Sequence, residues 1–504
     1  MSYNNINEAI AKLEELEATI AAYNHAMGVM WVDAATAAPE DSAEGRGRTM
    51  QVLSGVVYKL WADPASLEAA SYLTAYAGEL DQQTLRRAEL LKKGCEQTSR
   101  IPEDEYIAYQ LLLNEADGVW KKAKANNDFA SFAPVLEKIV EFNRKFAGYY
   151  NPDIEPYNAL LNEYEEGLTM ATLDEFFATL REKLVPVIKA IGETEQLDDS
   201  FLWGHFEVEP QRRFSDRLME SLGIDPAHCS IAETEHPFTS GFNTKDVRLT
   251  THYYTDWVAN SMYAVIHEGG HALYELGGDP AYDHTFLQGG VSMSLHESQS
   301  RFYENMVGRS RAYAALILPV MQEIFPQQMA DVTAEQLYKA INKAEPSLIR
   351  IEADELTYAN HIMVRYEIEK QLIAGTLSVA DVPAEWNRLY KEYLGVDVPD
   401  DAKGCLQDSH WSGGSFGYFP SYALGSAYAA QMASVMQEQL GASIDELIAR
   451  GEMNTITAWL KENIHRHGQL YKPGELLEKC CGKFDASYYT DYLVKKYSEL
   501  YGLA

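Results

Sequence analysis

The chain has 504 residues, long enough for several ordinary domains or for one large enzyme, and 46% of them are hydrophobic against 23% charged. Its formal net charge of −33, from 42 basic and 75 acidic residues, repels nucleic acid and anionic membrane surfaces and argues against partners of either kind. No window approaches the roughly 18 uncharged apolar residues of a spanning helix. The start, "MSYNNINEAIAKLEEL", lacks the basic patch and apolar run of a secretory signal. Five cysteines (Cys95, Cys229, Cys405, Cys480, Cys481) form no CxxC pair and no metal-like spacing, which predicts reduced thiols in a cytoplasmic protein.

In chain order, helical periodicity dominates. Ile6, Ile10, Leu13, Leu16 and Ile20 recur at spacings of three and four, giving one apolar stripe. Similar stripes run through 132–148, 173–192, 335–345, 427–448 and 484–498, separated by turn signals such as "YNPDIEP", "LGIDP" and "GVDVPDDAKG". The exception is 236–255, "HPFTSGFNTKDVRLTTHYYT", where Thr, Phe, Val and Tyr flank a "GFNTKD" turn. That pattern predicts one small antiparallel sheet. No Gly/Pro/Ser-rich linker divides the chain, so the expected architecture is a single, mainly α unit over 1–504.

The chemistry begins in "VIHEGGHALYE" (265–275). On a helix, residues four apart are rotated by about 40°, so His267 and His271 share a face one turn apart and can grip one metal ion. Glu268 flanks that face, placed to take a proton from a water the metal activates. Glycines fill both positions between Glu268 and His271, at a cost of roughly 1 kcal/mol each inside a helix. This predicts that Gly270 clears space for a second ligand-bearing helix or for the substrate, and that Gly269 lets another element pack close.

A catalytic site needs a third protein ligand and an open position. Glu275 lies too far along the same helix, about 12 Å from the first histidine at 1.5 Å per residue. "SLHESQSRFYEN" (294–305) is the best source: it reads as a helix and places Glu297 after a loop and a return, with Glu304 the weaker candidate and His296 in a supporting role. Zinc is the expected metal, although two histidines and a carboxylate also suit cobalt or manganese.

These residues resemble the carboxypeptidase Taq family of metallocarboxypeptidases, whose pattern is an HExxH helix followed by an HES(G)Q helix that supplies a glutamate ligand. "HPF" (236–238), "DVRLT" (246–250), "IRIEAD" (349–354) and "GYFPSYALG" (417–425) are similar to that family's segments, in order. "YNALLNEYEEG" (157–167) resembles another, with Asn158 and Glu166 departing from the usual Asp and Pro. The resemblance implies a large helical zincin-like metallopeptidase with a deep cleft; within the single unit, motif-poor residues 1–200 are expected to form an N-terminal helical wall and 201–504 the catalytic half. It also implies a homodimer acting on peptides with a free C-terminal carboxylate.

Arginine suits recognition of that carboxylate through its planar fork. Arg350, at the family's motif position, is the expected binder. Arg248 is a second motif arginine, with Asp246 on the same strand face as an alternative partner, and His236 either lines the cleft or caps the sheet. The stretch "QDSHWSGGSFGYFPSYALG" (407–425), rich in Gly, Ser and Tyr, reads as a mobile loop entering a helix. His410 and Tyr422 are the expected stabilisers of the oxyanion, with Tyr418 competing for the role. The alternatives are an oligoendopeptidase or peptidyl-dipeptidase with the same site. A non-catalytic scaffold with a structural zinc is disfavoured, because such sites are closed by four ligands, commonly including cysteine.

Overall fold

The computed structural model describes Tyr3 and residues 5–503. Helix makes up 69% of it, and the first predicted stripe becomes one face of Ile6–Thr36, with Ala9, Leu13, Leu16 and Ile20 buried. Asn5 caps this helix by accepting from the Glu8 N–H. The stripes at 132–148 and 173–192 fall inside Phe129–Tyr150 and Met170–Gly192, and the last, 484–498, overlaps Ser487–Tyr501, which starts three residues later. Two expected helices are shorter than their patterns. The 427–448 stripe is split into Pro420–Leu440 and Ile444–Ala449, the second started by a Ser443/Glu446 capping box. The 335–345 stripe stops at Ala340, where the Ile341 N–H bonds back to Leu337.

Among the described residues there is one sheet, of three strands: β1 (Cys229–Glu233), β2 (Thr239–Asn243) and β3 (Asp246–Thr251), in the order β1-β3-β2. The expected antiparallel hairpin is β2–β3, turning at Thr244 and Lys245. The sheet as a whole is mixed rather than antiparallel, because β1 adds to β3 in parallel, from Cys229 opposite Val247 to Glu233 opposite Thr251. A hairpin is announced by its turn, whereas a parallel neighbour is joined through tertiary packing and leaves no local signal. The sheet ends at Thr251; His252 to Thr255 leave it.

A single large apolar core runs from Tyr109 to Tyr497 and encloses the HEGGH helix, Val258–Leu276. A second cluster is separate: Ala9, Leu13, Leu16, Ala70, Leu73, Ala88, Leu91 and Cys95, with Phe286 the one residue from the rest of the chain packed against it. No described helix is long and apolar enough to cross a membrane.

Candidate active site

The HEGGH helix is held on several sides. It packs against β2 and β3, against helix Val208–Leu222 and against helix Met293–Arg301, which carries Glu297. Its glycines mark two of those contacts. A Cβ at Gly270 would lie 2.6 Å from Gln299 O and Ser300 Cα, main-chain atoms of the Glu297 helix. At Gly269 it would lie 2.9 Å from Leu222 Cδ1 and 3.1 Å from Ile224 Cδ1. Both expectations about the glycines hold: the metal helix is cut away where its neighbours press on it.

That close approach brings the third carboxylate to the histidines. Glu297 Oε2 lies 3.7 Å from His267 Nε2 and 3.6 Å from His271 Nε2. Ligands at 2.0–2.1 Å in tetrahedral array stand about 3.4 Å apart, so these three atoms fit one metal ion. The other oxygen, Oε1, accepts from Arg301 Nε at 2.7 Å, one turn on. Burial pushes the Glu297 carboxyl up, but Arg301 and the two histidines outweigh it and hold the group well below the usual range.

The remaining ring nitrogens are also taken. His267 Nδ1 meets Glu304 Oε2 at 2.8 Å. Glu304 sits in a single π-helical turn, Phe302–Val307, of the kind that often re-aims side chains at functional sites. It also accepts from Arg301 at 3.0 Å, and Arg301 and His267 hold its carboxyl at about 2 against the upward push of burial. Glu304 is therefore the outer partner of a histidine and not a competing ligand. His271 Nδ1 meets His296 Nδ1 at 2.7 Å, and His296 Nε2 meets Glu275 Oε1 at 2.8 Å. With Glu275 accepting from Nε2–H, His296 Nδ1 accepts from His271, which leaves His271 Nε2 as a free lone pair for a metal. Glu275, excluded as a ligand on distance, thus orients the candidate ligand His271 through His296.

Glu268 is buried beside the triad, 7% exposed, and accepts from the Thr239 hydroxyl of β2 at 2.6 Å through Oε2.

Arg350 begins a short turn, Arg350–Glu352, and is buried. Its Nε and Nη2 donate to Asp408 Oδ1 at 3.0 and 2.8 Å, and Nη1 donates to the Tyr358 hydroxyl at 3.1 Å. Asp408 also accepts from Arg365 through Oδ2. Burial opposes its charge, yet Arg365 and Arg350 hold it far below the usual carboxylate range. The Arg350 guanidinium lies 5.1 Å from the Tyr422 ring centre. His410 Nε2 stands 3.1 Å from the Tyr422 hydroxyl. Burial, then Arg350, pushes His410 down to about 4, so its ring is neutral at pH 7. Burial raises Tyr422 well above its ordinary value, so the phenol keeps its proton. Tyr418 meets Tyr422 edge-on at 5.1 Å, and both phenols lie close enough to Glu297 to be raised by its charge.

The structure does not bring Arg248 and His236 into this group. Arg248 is engaged by Asp246 with two bonds of 3.0 Å, the pairing its strand position allowed, and stacks over Phe242. His236 is exposed ahead of β2. Sequence reasoning passed over Asp408, Arg301 and Thr239. Each carried a faint signal: Asp408 stands two residues before His410, Arg301 one turn after Glu297, and Thr239 next to "HPF".

A metal-fitting triad with a buried glutamate beside it, in a helical fold, defines a metallopeptidase. Residues 12–497 match the model of the carboxypeptidase Taq (M32) metallopeptidase family, and the chain belongs to that family. Carboxypeptidase 1 of Bacillus subtilis is 40% identical over 484 residues, 96% of either chain. Thermostable carboxypeptidase 1 of Thermus thermophilus is 36% identical, over 95% of this chain and 97% of that protein. Among solved structures, the M32 carboxypeptidase of Deinococcus radiodurans superposes with a TM-score of 0.95 at 34% identity, covering 98% of this chain and 100% of that one. Trypanosoma cruzi metallocarboxypeptidase 1 gives 0.93 at 32% identity, over 98% and 99%. The protein is a metallocarboxypeptidase, a peptide hydrolase that acts on C-terminal residues.

Proposed function

We propose that this enzyme releases amino acids from free peptide C-termini using zinc held by His267, His271 and Glu297. The observation that supports the reading is that Glu297 Oε2 stands 3.6–3.7 Å from both histidine Nε2 atoms, all three lying within 4.8 Å of one another, beside buried Glu268. When bound, the metal supplies Lewis acidity to the scissile carbonyl and to a water; cobalt or manganese would suit the same donors. Glu268 takes the proton of that water and later delivers it to the leaving amine.

Tyr422 donates to the developing oxyanion. His410 Nδ1 is buried without a partner, and an orphaned acceptor costs less than an orphaned N–H. The neutral ring therefore carries its proton on Nε2 and donates to the Tyr422 oxygen, freeing the phenol O–H to point at substrate. Arg350 acts on the substrate carboxylate mainly through charge, because Asp408 and Tyr358 occupy its fork. Two guanidiniums share one Asp408 carboxylate, and the surplus positive charge beneath Tyr422 favours an anionic chain end at this side of the site.

Two measurements test the proposal. Glu268→Gln should keep its metal and lose activity by about 10²–10⁴-fold; near-normal turnover refutes the general base. Peptides with an amidated C-terminus should be cleaved far more slowly than their free-acid forms. Equal cleavage would favour the oligoendopeptidase or peptidyl-dipeptidase reading.

A further inference from the structure

The general base has a partner outside the metal-binding motif. β2 lies at the edge of the sheet, and two of its alternate positions face the HEGGH helix: Thr239 against Glu268, and Gly241 so close that a Cβ there would lie 2.5 Å from Glu275 Oε2. The Thr239 hydroxyl stands 2.6 Å from Glu268 Oε2 and 3.0 Å from the Glu268 main-chain oxygen. Its main chain is fixed in the ladder opposite Leu249, and a β-branched side chain has little freedom at χ1. A rigid donor is therefore aimed at one oxygen of a carboxylate whose own terminal torsion is intrinsically broad.

We infer that Thr239 is a positioning residue for the reaction: its hydroxyl fixes the rotation of the Glu268 carboxylate so that Oε1 is the oxygen presented to the attacking water. The inference rests on Glu268 being the general base. The hydroxyl has one proton and two acceptors within reach. While Glu268 is ionised, that proton goes to Oε2 at the shorter distance. Once Glu268 has taken the water's proton on Oε1, Oε2 is its carbonyl oxygen and still accepts from the Thr239 hydroxyl. The carboxyl keeps a partner in both states, so it delivers its proton to the leaving amine from the place where it was received. A threonine that merely glued strand to helix would act on stability instead of turnover.

Thr239→Val keeps the shape and removes the hydroxyl; Thr239→Ser restores it. Steady-state kinetics on a free-acid peptide, with bound metal measured by elemental analysis, separate the roles. Thr239→Val should lower kcat by about 10- to 100-fold with KM and metal content unchanged, and Thr239→Ser should recover kcat to within about threefold. Added to Glu268→Gln, Thr239→Val should cause no further loss, because the group it positions is gone. A kcat for Thr239→Val within twofold of the parent, an equal loss in the Glu268→Gln background, or a Thr239→Ser variant as slow as the valine overturns the inference. If Glu268→Gln is inactive while Thr239→Val turns over normally, the positioning role alone fails. If Glu268→Gln turns over normally, the general-base reading falls and takes this inference with it.

Discussion

A residue's neighbours decide what its substitution costs, and the two adjacent glycines of the HEGGH motif make opposite cases. At Gly270 a Cβ meets main-chain atoms of Gln299 and Ser300, which cannot yield without moving the helix that carries Glu297. At Gly269 it meets the tips of Leu222 and Ile224, which can rotate. Alanine gains about 1 kcal/mol of helix propensity at either site, against about 1–3 kcal/mol for overpacking. Gly269→Ala should thus be near neutral in stability and activity. Gly270→Ala should displace Glu297 and lose bound metal on dialysis while keeping its helical circular dichroism. Equal metal retention in the two variants would sink the distinction. The candidate ligand triad was legible from spacing, because HExxH and a following glutamate helix are local signals, and the structure brings its three ligand atoms together. Of their outer partners only His296, expected in a supporting role, was legible as well. Glu275 was excluded as a ligand on distance and Glu304 stood as the weaker ligand candidate; only the fold turns the first onto His296 and the second, through a π-helical turn, onto His267.

Elements were legible to the extent that their signals are local. The β2–β3 hairpin followed from "GFNTKD", whereas β1 did not, since its five residues, "CSIAE", gain a place in the sheet only by pairing with β3. The loop bearing His410 and Tyr418 also escaped sequence reasoning as an ordered structure. It is pinned by one buried carboxylate, Glu369, which accepts from Trp411 Nε1 at 2.8 Å, the Gly417 N–H at 2.9 Å and the Tyr157 hydroxyl at 2.8 Å. Burial pushes Glu369 up from an ordinary 4.5 to about 7, against the pull of those donors and of Arg365. A carboxyl raised in the folded state contributes stability that is fully present below 4.5 and lost as pH rises through 7. Glutamine at this position does not titrate. The advantage of the parent over Glu369→Gln, read from urea transitions, should therefore shrink by about 3 kcal/mol between pH 4.5 and pH 8. A difference independent of pH would mean that the carboxyl does not change its ionisation in this range.

At the scale of the molecule, the helical pattern and the absence of a flexible linker pointed to one unit, with a wall drawn at residue 200. The apolar clusters divide the chain much earlier: residues up to Cys95 gather around a core of their own, and from Tyr109 onward the chain shares the core that holds the metal helix. Sequence cannot expose that boundary, because continuous helical periodicity crosses it and the contacts that join the two parts are distant along the chain. Polar groups span the joint: buried Glu17 accepts from the Phe286 N–H at 3.0 Å as well as from Arg87, and Arg86 Nε donates to Gln469 O at 3.0 Å. Apolar links join the parts at two places: Trp31 packs on Phe238 with ring centres 4.3 Å apart, and Phe286, from the loop between the HEGGH helix and the Glu297 helix, lies with its ring 5.3 Å from that of Trp61. Because Phe286 is only partly buried, its truncation should cost less than the 3–5 kcal/mol of a full core phenylalanine, about 2 kcal/mol. That loss falls on the joint and leaves the larger core untouched. Phe286→Ala should consequently unfold in two steps, with trypsin cutting first within residues 1–100 at a temperature where the metal-binding part remains resistant. One cooperative transition, shifted as a whole with no early cutting, would show that the two cores stand or fall together.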